Sequence, residues 1–520
     1  MEEKILHFFN TTGPCNPEEH YMLSPEERLV GGQLSRYIKN RLYWVLHAPR
    51  QTGKTTFLQA WMREINKVDK QVACYVSVER CQGVADPKDA IPAICNAIKE
   101  SAEVYDLPVP KTTDDPLSAL SYMLKDWSRK IAPKPLIVLF DEVDVLVGET
   151  MISFLRQLRG GFASRGVGKF PTSIALVGMR DLKDYITQSK DGVAPNPGSP
   201  FNIKKDSAQL TNFSENDVTR LFAKRTEETG QLITAEALKY VFEQSNGQPW
   251  IVNSLFDRAI SRILDEESTE TVTIEHVREA REQMVMGRET HLDALAYRLD
   301  DDRVRRVIES IMVGKTDATL AKGEPFRLCL DLGLVTIING TPSISNPVYR
   351  EVLAREITYS AQLAIPAPEW RWQKDDGSLD MEALMSEFQK FWRRHSEAWD
   401  EQTGYTEAFP HLILMAFLQR ITNGGGYIDR EYAAGSGRLD LSLRFNNQWY
   451  IIEIKVIHEH DSAETVREEG LVQIARYRDR IDPSAQSYLA IFDRRKKSKD
   501  LPWEQKIKQE TAGDVTILWQ

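Results

Sequence analysis

A chain of 520 residues is longer than one hydrophobic core organises, and 42% hydrophobic with 27% charged residues excludes wholesale disorder. Its net charge of −10 excludes a globally basic surface, so contacts to nucleic-acid phosphates would have to come from local patches. The five cysteines (Cys15, Cys74, Cys81, Cys95, Cys329) are odd in number and lack CxxC spacing, which argues against a disulfide framework or a zinc ribbon. The amino-terminal segment has no basic start and apolar core, and no run reaches membrane-spanning length, so we expect a cytoplasmic protein without a membrane partner.

In chain order, the apolar runs 43–47, 72–78, 136–140 and 174–178 are separated by helical periods. That is the pattern of a parallel sheet covered on both faces, and it predicts an α/β domain over 1–213. From Ser214, a candidate N-cap, to 295 the pattern is helical, with Asn246-Gly247-Gln248-Pro249 between two helices, and predicts a helical lid. Over 296–362 a helix precedes LVTII, Asn339-Gly340 and TPSIS, a type I′ hairpin signal, and Asn346-Pro347 then opens another helix. Helices followed by a hairpin predict a winged helix. Residues 363–380 mix Pro, Gly and charge without periodicity and read as a linker. The remainder, 381–520, opens with the helix MEALMSEFQKFWRRH and reads as a separate α/β domain.

Residues 48–55, APRQTGKT, match the phosphate-binding pattern GxxxxGK[ST] except that Ala48 replaces the first glycine. Glycine is required there only if φ is positive. An apolar strand precedes the loop and the amphipathic helix TFLQAWMREI follows it, so Gln51, Thr52, Gly53, Lys54, Thr55 and Thr56 are the expected ATP-binding residues. Loop N–H groups would wrap the phosphates, Lys54 would reach the β/γ-phosphates, and Thr55 would hold Mg²⁺.

Beyond the apolar strand LIVLF, Asp141 is placed to hold nucleotide-bound Mg²⁺ and Glu142 to polarise the attacking water. Asp144 reads as structural, an acidic helix cap. Arg180 is either a γ-phosphate sensor or one half of a strand-end salt bridge. Arg156, Arg159 and Arg165 are either a finger offered to a neighbouring subunit or a solvated helix face.

Together, APRQTGKT, LIVLFDEVD, VGMRD, NGQP and the hairpin region resemble bacterial AAA-like ATPases related to the STAND and origin-recognition groups, over roughly 20–360. The resemblance implies that Gly247-Gln248-Pro249 begins a lid segment that senses nucleotide state, hence a switch, and it is compatible with a homo-oligomer.

The stretch 438–456 carries a second constellation. With Asn446-Asn447 as a two-residue turn, 445 faces 448 and Asp440 falls opposite Glu453. Lys455 shares their face, while Tyr450, Ile452, Ile454 and Val456 take the other. Two opposed carboxylates call for a divalent cation, and a lysine beside it can orient water or stabilise a phosphate under attack. Asp440-x12-Glu453-Ile454-Lys455 resembles the PD-(D/E)xK nuclease superfamily, although Gly437-Arg438-Leu439-Asp440 stands where a proline-aspartate pair is usual. The resemblance implies Mg²⁺ or Mn²⁺ held by Asp440, Glu453 and Glu407. It makes Asp440, Glu453 and Lys455 catalytic, and it matches Gln473 and Tyr477 to a QxxxY motif.

His458-Glu459-His460-Asp461 reads as a solvated loop rather than a metal site. Arg393-Arg394-His395 and Arg494-Arg495-Lys496-Lys497 are basic runs, with Trp392 or Trp503 nearby for stacking, and read by default as solvated faces. The whole predicts an ATP-controlled, metal-dependent nuclease acting on nucleic acid, DNA before RNA, in response to an unidentified trigger. The resemblance implies a place in bacterial defence or mobile-element biology. The rival is an ATP-switched DNA-binding or assembly protein with an inactive nuclease fold.

Overall fold

The structure is a computed structural model. It describes residues 6–24, 28–30, 34–179, 204–265, 268–287, 290–313, 323–364, 374, 376, 378–402, 413–414, 417–418, 441–445, 448–495, 498 and 501–520. The chain packs as two compact units, one of residues 1–289 with 327–334, the other of 290–326 with 335–520.

In the first unit β1 (Leu29–Val30), β2 (Tyr43–His47), β3 (Val72–Ser77), β4 (Leu136–Asp141), β5 (Ser173–Gly178) and β6 (Lys204–Leu210) form one sheet in the order β1-β6-β2-β5-β4-β3. All neighbours are parallel except β1 with β6. Alternation along the strands feeds two cores. Tyr43, Val45, Val76, Val138, Phe140 and Leu176 meet the helices Pro87–Val104, Ala119–Ile131 and Gly148–Phe162. Trp44, Leu46, Ala73, Leu139 and Val177 meet Phe57, Leu58 and Trp61 of the helix Lys54–Lys67. Because both faces are covered, the central strands β2, β4 and β5 are apolar along most of their length. Each buried aromatic or leucine fixing the Lys54–Lys67 helix contributes about 2 kcal/mol.

The lid begins where Ser214 Oγ accepts from the Asp217 N–H at 3.1 Å and Asp217 Oδ2 accepts from the Ser214 N–H at 2.9 Å, a reciprocal cap on the helix Glu215–Thr229. The helices Ala235–Ser245, Pro249–Asp257 and Ile274–Met286 follow, the second capped by Gln248.

In the second unit, β7 (Val335–Ile338) and β8 (Thr341–Ile344) close on Asn339 and Gly340, whose φ of 50° and 79° are those of the expected type I′ turn. Asn346 Oδ1 accepts from the Tyr349 N–H at 2.8 Å and so caps the helix Pro347–Ala364. The helix that opens the carboxy-terminal region runs Met381–Gln402, past His395 where the sequence pattern placed its end.

β9 (Leu441–Phe445), β10 (Gln448–Ile457), β11 (Gln486–Asp493), β12 (Lys508–Ala512) and β13 (Val515–Trp519) form a sheet in the order β12-β13-β11-β10-β9. Its three central strands are parallel and its two edges antiparallel. One face packs on the Met381–Gln402 helix and the other on the helix Ala463–Ile481. Among the described residues no helix is long and apolar enough to cross a membrane.

Candidate nucleotide and metal sites

The loop between β2 and the Lys54–Lys67 helix turns through Gln51 (φ 59°) and Gly53 (φ 85°), leaving the helix N-terminus open behind a curl of backbone. Ala48 lies outside the left-handed region, so alanine is accommodated where the motif has glycine. Lys54 is buried, and its Nζ donates to the carbonyls of Ala48 and Pro49, both at 2.9 Å. Burial lowers its affinity for its proton, while Glu142, Asp141 and Asp144 oppose that. Arg28 ties the same loop to the sheet edge, donating to Thr52 O at 2.6 Å and to Thr211 O.

β4 ends in Asp141, which is fully buried and accepts at Oδ2 from Thr55 Oγ1 at 2.7 Å and from the Tyr75 hydroxyl at 3.1 Å. Its Oδ1 accepts from the Glu142 N–H at 2.9 Å. Glu142 has φ 58°, and burial, reinforced by Asp141 and Asp144, pushes its carboxyl up to about 7.

The structure thus brings together Lys54, Thr55, Asp141 and Glu142 from two separate strand ends. Thr55 and Asp141 present hard oxygen donors at one point, a donor set that fits Mg²⁺. Asp144 does not cap the helix Gly148–Phe162, whose cap position is Val147. It lies in a single turn, Val143–Val145, close against Gly178: a Cβ on that glycine would come within 2.9 Å of Asp144 Oδ1. Asp144 therefore lies against the end of β5.

The lid reaches the loop directly. Gln248 Oε1 accepts from the Ile251 N–H at 2.7 Å, and its Nε2 donates to Gln51 O at 3.1 Å. Of the arginines, Arg156 and Arg159 are exposed. Arg165 is engaged: it donates to Arg41 O at 2.8 Å and to Phe162 O at 2.9 Å, and its guanidinium lies 3.9 Å from the Phe162 ring. Arg180 lies outside the described residues. Sequence reasoning missed Arg28 and Tyr75, which touch the site only through tertiary packing and carry no local pattern.

In the second unit β9 and β10 pair as the turn length predicts, Phe445 with Gln448 and onward to Leu441 with Ile452. Glu453 is buried, and Lys455 Nζ lies 3.0 Å from its Oε1 on the same strand face. Tyr450, Ile452, Ile454 and Val456 take the opposite face, against the Met381–Gln402 helix. Asp440, Glu407 and the turn Asn446-Asn447 lie outside the described residues, so Glu453 is the described member of the expected metal set.

Tyr477 is buried with Ile451 and Leu489 beneath the Ala463–Ile481 helix. Gln473 Oε1 on that helix is buried without a hydrogen bond among the described residues. At His458–Asp461, Asp461 Oδ2 accepts from the His458 N–H at 2.8 Å in a surface turn, and no metal-ligating cluster occurs among the described residues. Trp392, half-buried, packs its ring 4.8 Å from Phe492 against the core of this unit. Arg495 is held by Asp493 at 2.8 Å.

Residues 38–186 match the family model of an AAA domain, and residues 405–492 match that of the PD-(D/E)XK nuclease superfamily. Among solved structures, the Walker-type ATPase PABY2304 of Pyrococcus abyssi is similar at 14% identity and a TM-score of 0.49, covering 66% of this chain and 99% of that one. The ORC2 protein of Aeropyrum pernix is similar at 14% identity and a TM-score of 0.38, covering 63% and 91%. The RuvB Holliday junction branch migration motor of Thermotoga maritima is similar at 12% identity and a TM-score of 0.34, covering 64% and 92%. No curated protein matches the sequence.

Proposed function

We propose, from the premise that the chain joins an AAA domain to a domain of the PD-(D/E)XK nuclease superfamily, that it is an ATP-hydrolysing protein controlling a metal-dependent nuclease. The observation that carries the nucleotide half is the meeting of Thr55 with Asp141 beside Lys54 and Glu142. Lys54 would exchange its loop carbonyls for the β/γ-phosphates, and the loop N–H groups would hold the remaining phosphate oxygens. Thr55 and Asp141 would hold Mg²⁺, which when bound neutralises phosphate charge. Glu142 would orient the attacking water and accept a proton at its carboxylate.

The nuclease half is supported by the β9–β10 register. That register is the one the two-residue turn predicts, and Lys455 lies beside buried Glu453 on one strand face. Glu453, Asp440 and Glu407 would hold Mg²⁺ or Mn²⁺, which supplies Lewis acidity at a phosphodiester. Lys455 Nζ would orient water or meet the developing charge. The helix Asp302–Val313 with the β7–β8 hairpin supports a winged helix that contacts nucleic acid, DNA before RNA. Exposed Arg156 and Arg159 suit a homo-oligomer. Cytoplasmic bacterial defence or mobile-element biology is the setting that the resemblance implies.

The test is to incubate the purified chain with plasmid, linear DNA and RNA, with and without ATP, under Mg²⁺ or Mn²⁺. Lys54→Ala should abolish nucleotide binding, whereas Glu142→Gln should bind ATP and hydrolyse it at least tenfold more slowly, a loss of about 1.4 kcal/mol or more. Wild-type turnover in both sinks the ATPase reading. Asp440→Ala and Glu453→Ala should remove cleavage without unfolding the chain. Cleavage unchanged in the double variant removes the hairpin as active site, and a wild type that binds DNA without cutting supports the inactive-fold rival.

A further inference from the structure

The segment before the sheet carries no motif, yet it is bonded both to the helix that follows the nucleotide loop and to the lid helix Pro249–Asp257. Residues 6–24 double back on themselves: the Phe8 N–H donates to Glu19 O at 3.1 Å and the Tyr21 N–H donates to Phe8 O at 3.0 Å. At the tip Asn10 organises the turn, accepting from the Thr12 N–H at 3.0 Å and donating to Gly13 O at 3.3 Å, with Gly13 at φ 67°. Phe9 buries its ring against Phe222 and Phe256 of the lid.

Two sets of anchors hold the tip. On the lid side, in the helix Pro249–Asp257, Trp250 Nε1 donates to Thr11 O at 2.8 Å and Asn253 Nδ2 donates to Asn10 O at 2.9 Å. On the loop side, the Cys15 N–H donates to Thr56 Oγ1 at 3.0 Å. The lid helix that bonds the tip is also the one whose cap, Gln248, bonds Gln51 O. The path from Gln51 through Gln248, the Pro249–Asp257 helix, Asn10–Cys15 and Thr56 back to the loop is therefore a closed circuit of chain segments joined by hydrogen bonds. The brace ends on Thr56, one residue beyond Thr55, in the first turn of the helix whose N-terminus would receive the phosphates.

We propose that Asn10–Cys15 is a strap that holds the lid helix to the P-loop helix and walls the α-phosphate and sugar side of the site, so that nucleotide leaves when the strap opens. This rests on the ATP-binding reading above. Trp250 and Asn253 are then positioning residues for nucleotide, acting through the arm's carbonyls. Each removed donor weakens the closed state by about one ordinary hydrogen bond, which is roughly fivefold in its population.

The experiment measures release of N-methylanthraniloyl-ADP from the full chain by stopped flow, together with KM and kcat for ATP. Trp250→Phe, which keeps the ring and removes its N–H, should release about fivefold faster, and Trp250→Phe/Asn253→Ala about tenfold or more faster. KM should rise with kcat within about twofold, because the strap holds nucleotide and does not touch the reacting atoms. Val241→Ala, buried in the lid outside the ring, sets the baseline for plain destabilisation and should release at the wild-type rate. Wild-type release from the double variant, or equal acceleration in Val241→Ala, overturns the strap and leaves the P-loop reading standing. Failure of wild type to bind the labelled ADP, as expected only of Lys54→Ala, overturns both.

Discussion

Gly247 has φ 69°, its carbonyl accepts from the Phe213 N–H at 2.8 Å, and a Cβ on it would fall 1.9 Å from Phe213 O. A backbone carbonyl cannot swing aside as a side-chain tip does, so Gly247→Ala must displace the start of the helix that Gln248 caps. Gly230 is the control, since its φ is 78° and a Cβ there meets nothing within 4 Å. Gly230→Ala should lose about 1 kcal/mol, the left-handed cost alone. Gly247→Ala should lose about 2 kcal/mol or more and weaken ATP binding as Gln248 leaves Gln51, read by melting and equilibrium titration. Equal losses and equal affinities in the two variants would show that the contact has no reach beyond the turn. At this scale the convergence of Lys54, Thr55, Asp141 and Glu142 was legible because these residues sit in contiguous motifs at strand ends. Arg28 and Tyr75 were not, because each reaches the site from outside the two motifs, Tyr75 from the neighbouring strand β3.

Among elements, the β9–β10 hairpin shows why register was legible in advance: a two-residue turn and strict alternation leave one pairing that buries Leu441, Leu443, Tyr450 and Ile452 together. Helix ends were less legible, and the Met381–Gln402 helix ran on because nothing after His395 breaks it. The helix Asp302–Val313 hides a feature that periodicity could not flag: Glu309 sits on its apolar side, and burial pushes its carboxyl from 4.5 up to about 7, with Arg305 and Arg306 in opposition. The folded state therefore holds this proton more tightly than the unfolded chain does. The stability it contributes is present below about 4.5 and is lost as pH rises through about 7. Glu309→Gln, which cannot ionise, should match wild type near pH 5 and exceed it by roughly 2 kcal/mol at pH 8, a few degrees in the melting of this unit. A difference that stays constant across that range would show that Glu309 does not titrate there.

At the scale of the molecule, the two units share a chain that is exchanged more than once: Arg327–Leu334 belongs to the first unit although the residues on either side belong to the second. Within the first unit this segment bears on the nucleotide loop, for Gly333 has φ 73° and a Cβ on it would come within 2.5 Å of Pro49 Cβ. Two residues later, Val335 begins β7 in the second unit, where Met312 and Ile357 pack against the core that includes Tyr450 and Ile452 of the nuclease-like sheet. A shift of Pro49 on nucleotide binding thus has a short covalent route into the second unit. A tenfold change in cleavage rate asks for about 1.4 kcal/mol of differential affinity between two states. Cleavage by wild type at fixed metal should therefore change about tenfold or more with ATP, Lys54→Ala should hold the nucleotide-free rate, and Glu142→Gln should hold the ATP-bound rate. Gly333→Ala forces Pro49 and the segment apart, so it should keep metal-dependent cleavage and lose most of its response to ATP. The measurement is the ratio of cleavage rates with and without ATP, beside the ATP affinity of each variant. Equal ratios in wild type and Gly333→Ala at saturating ATP would rule out this route, and a ratio of one in wild type would show two activities sharing a chain without coupling.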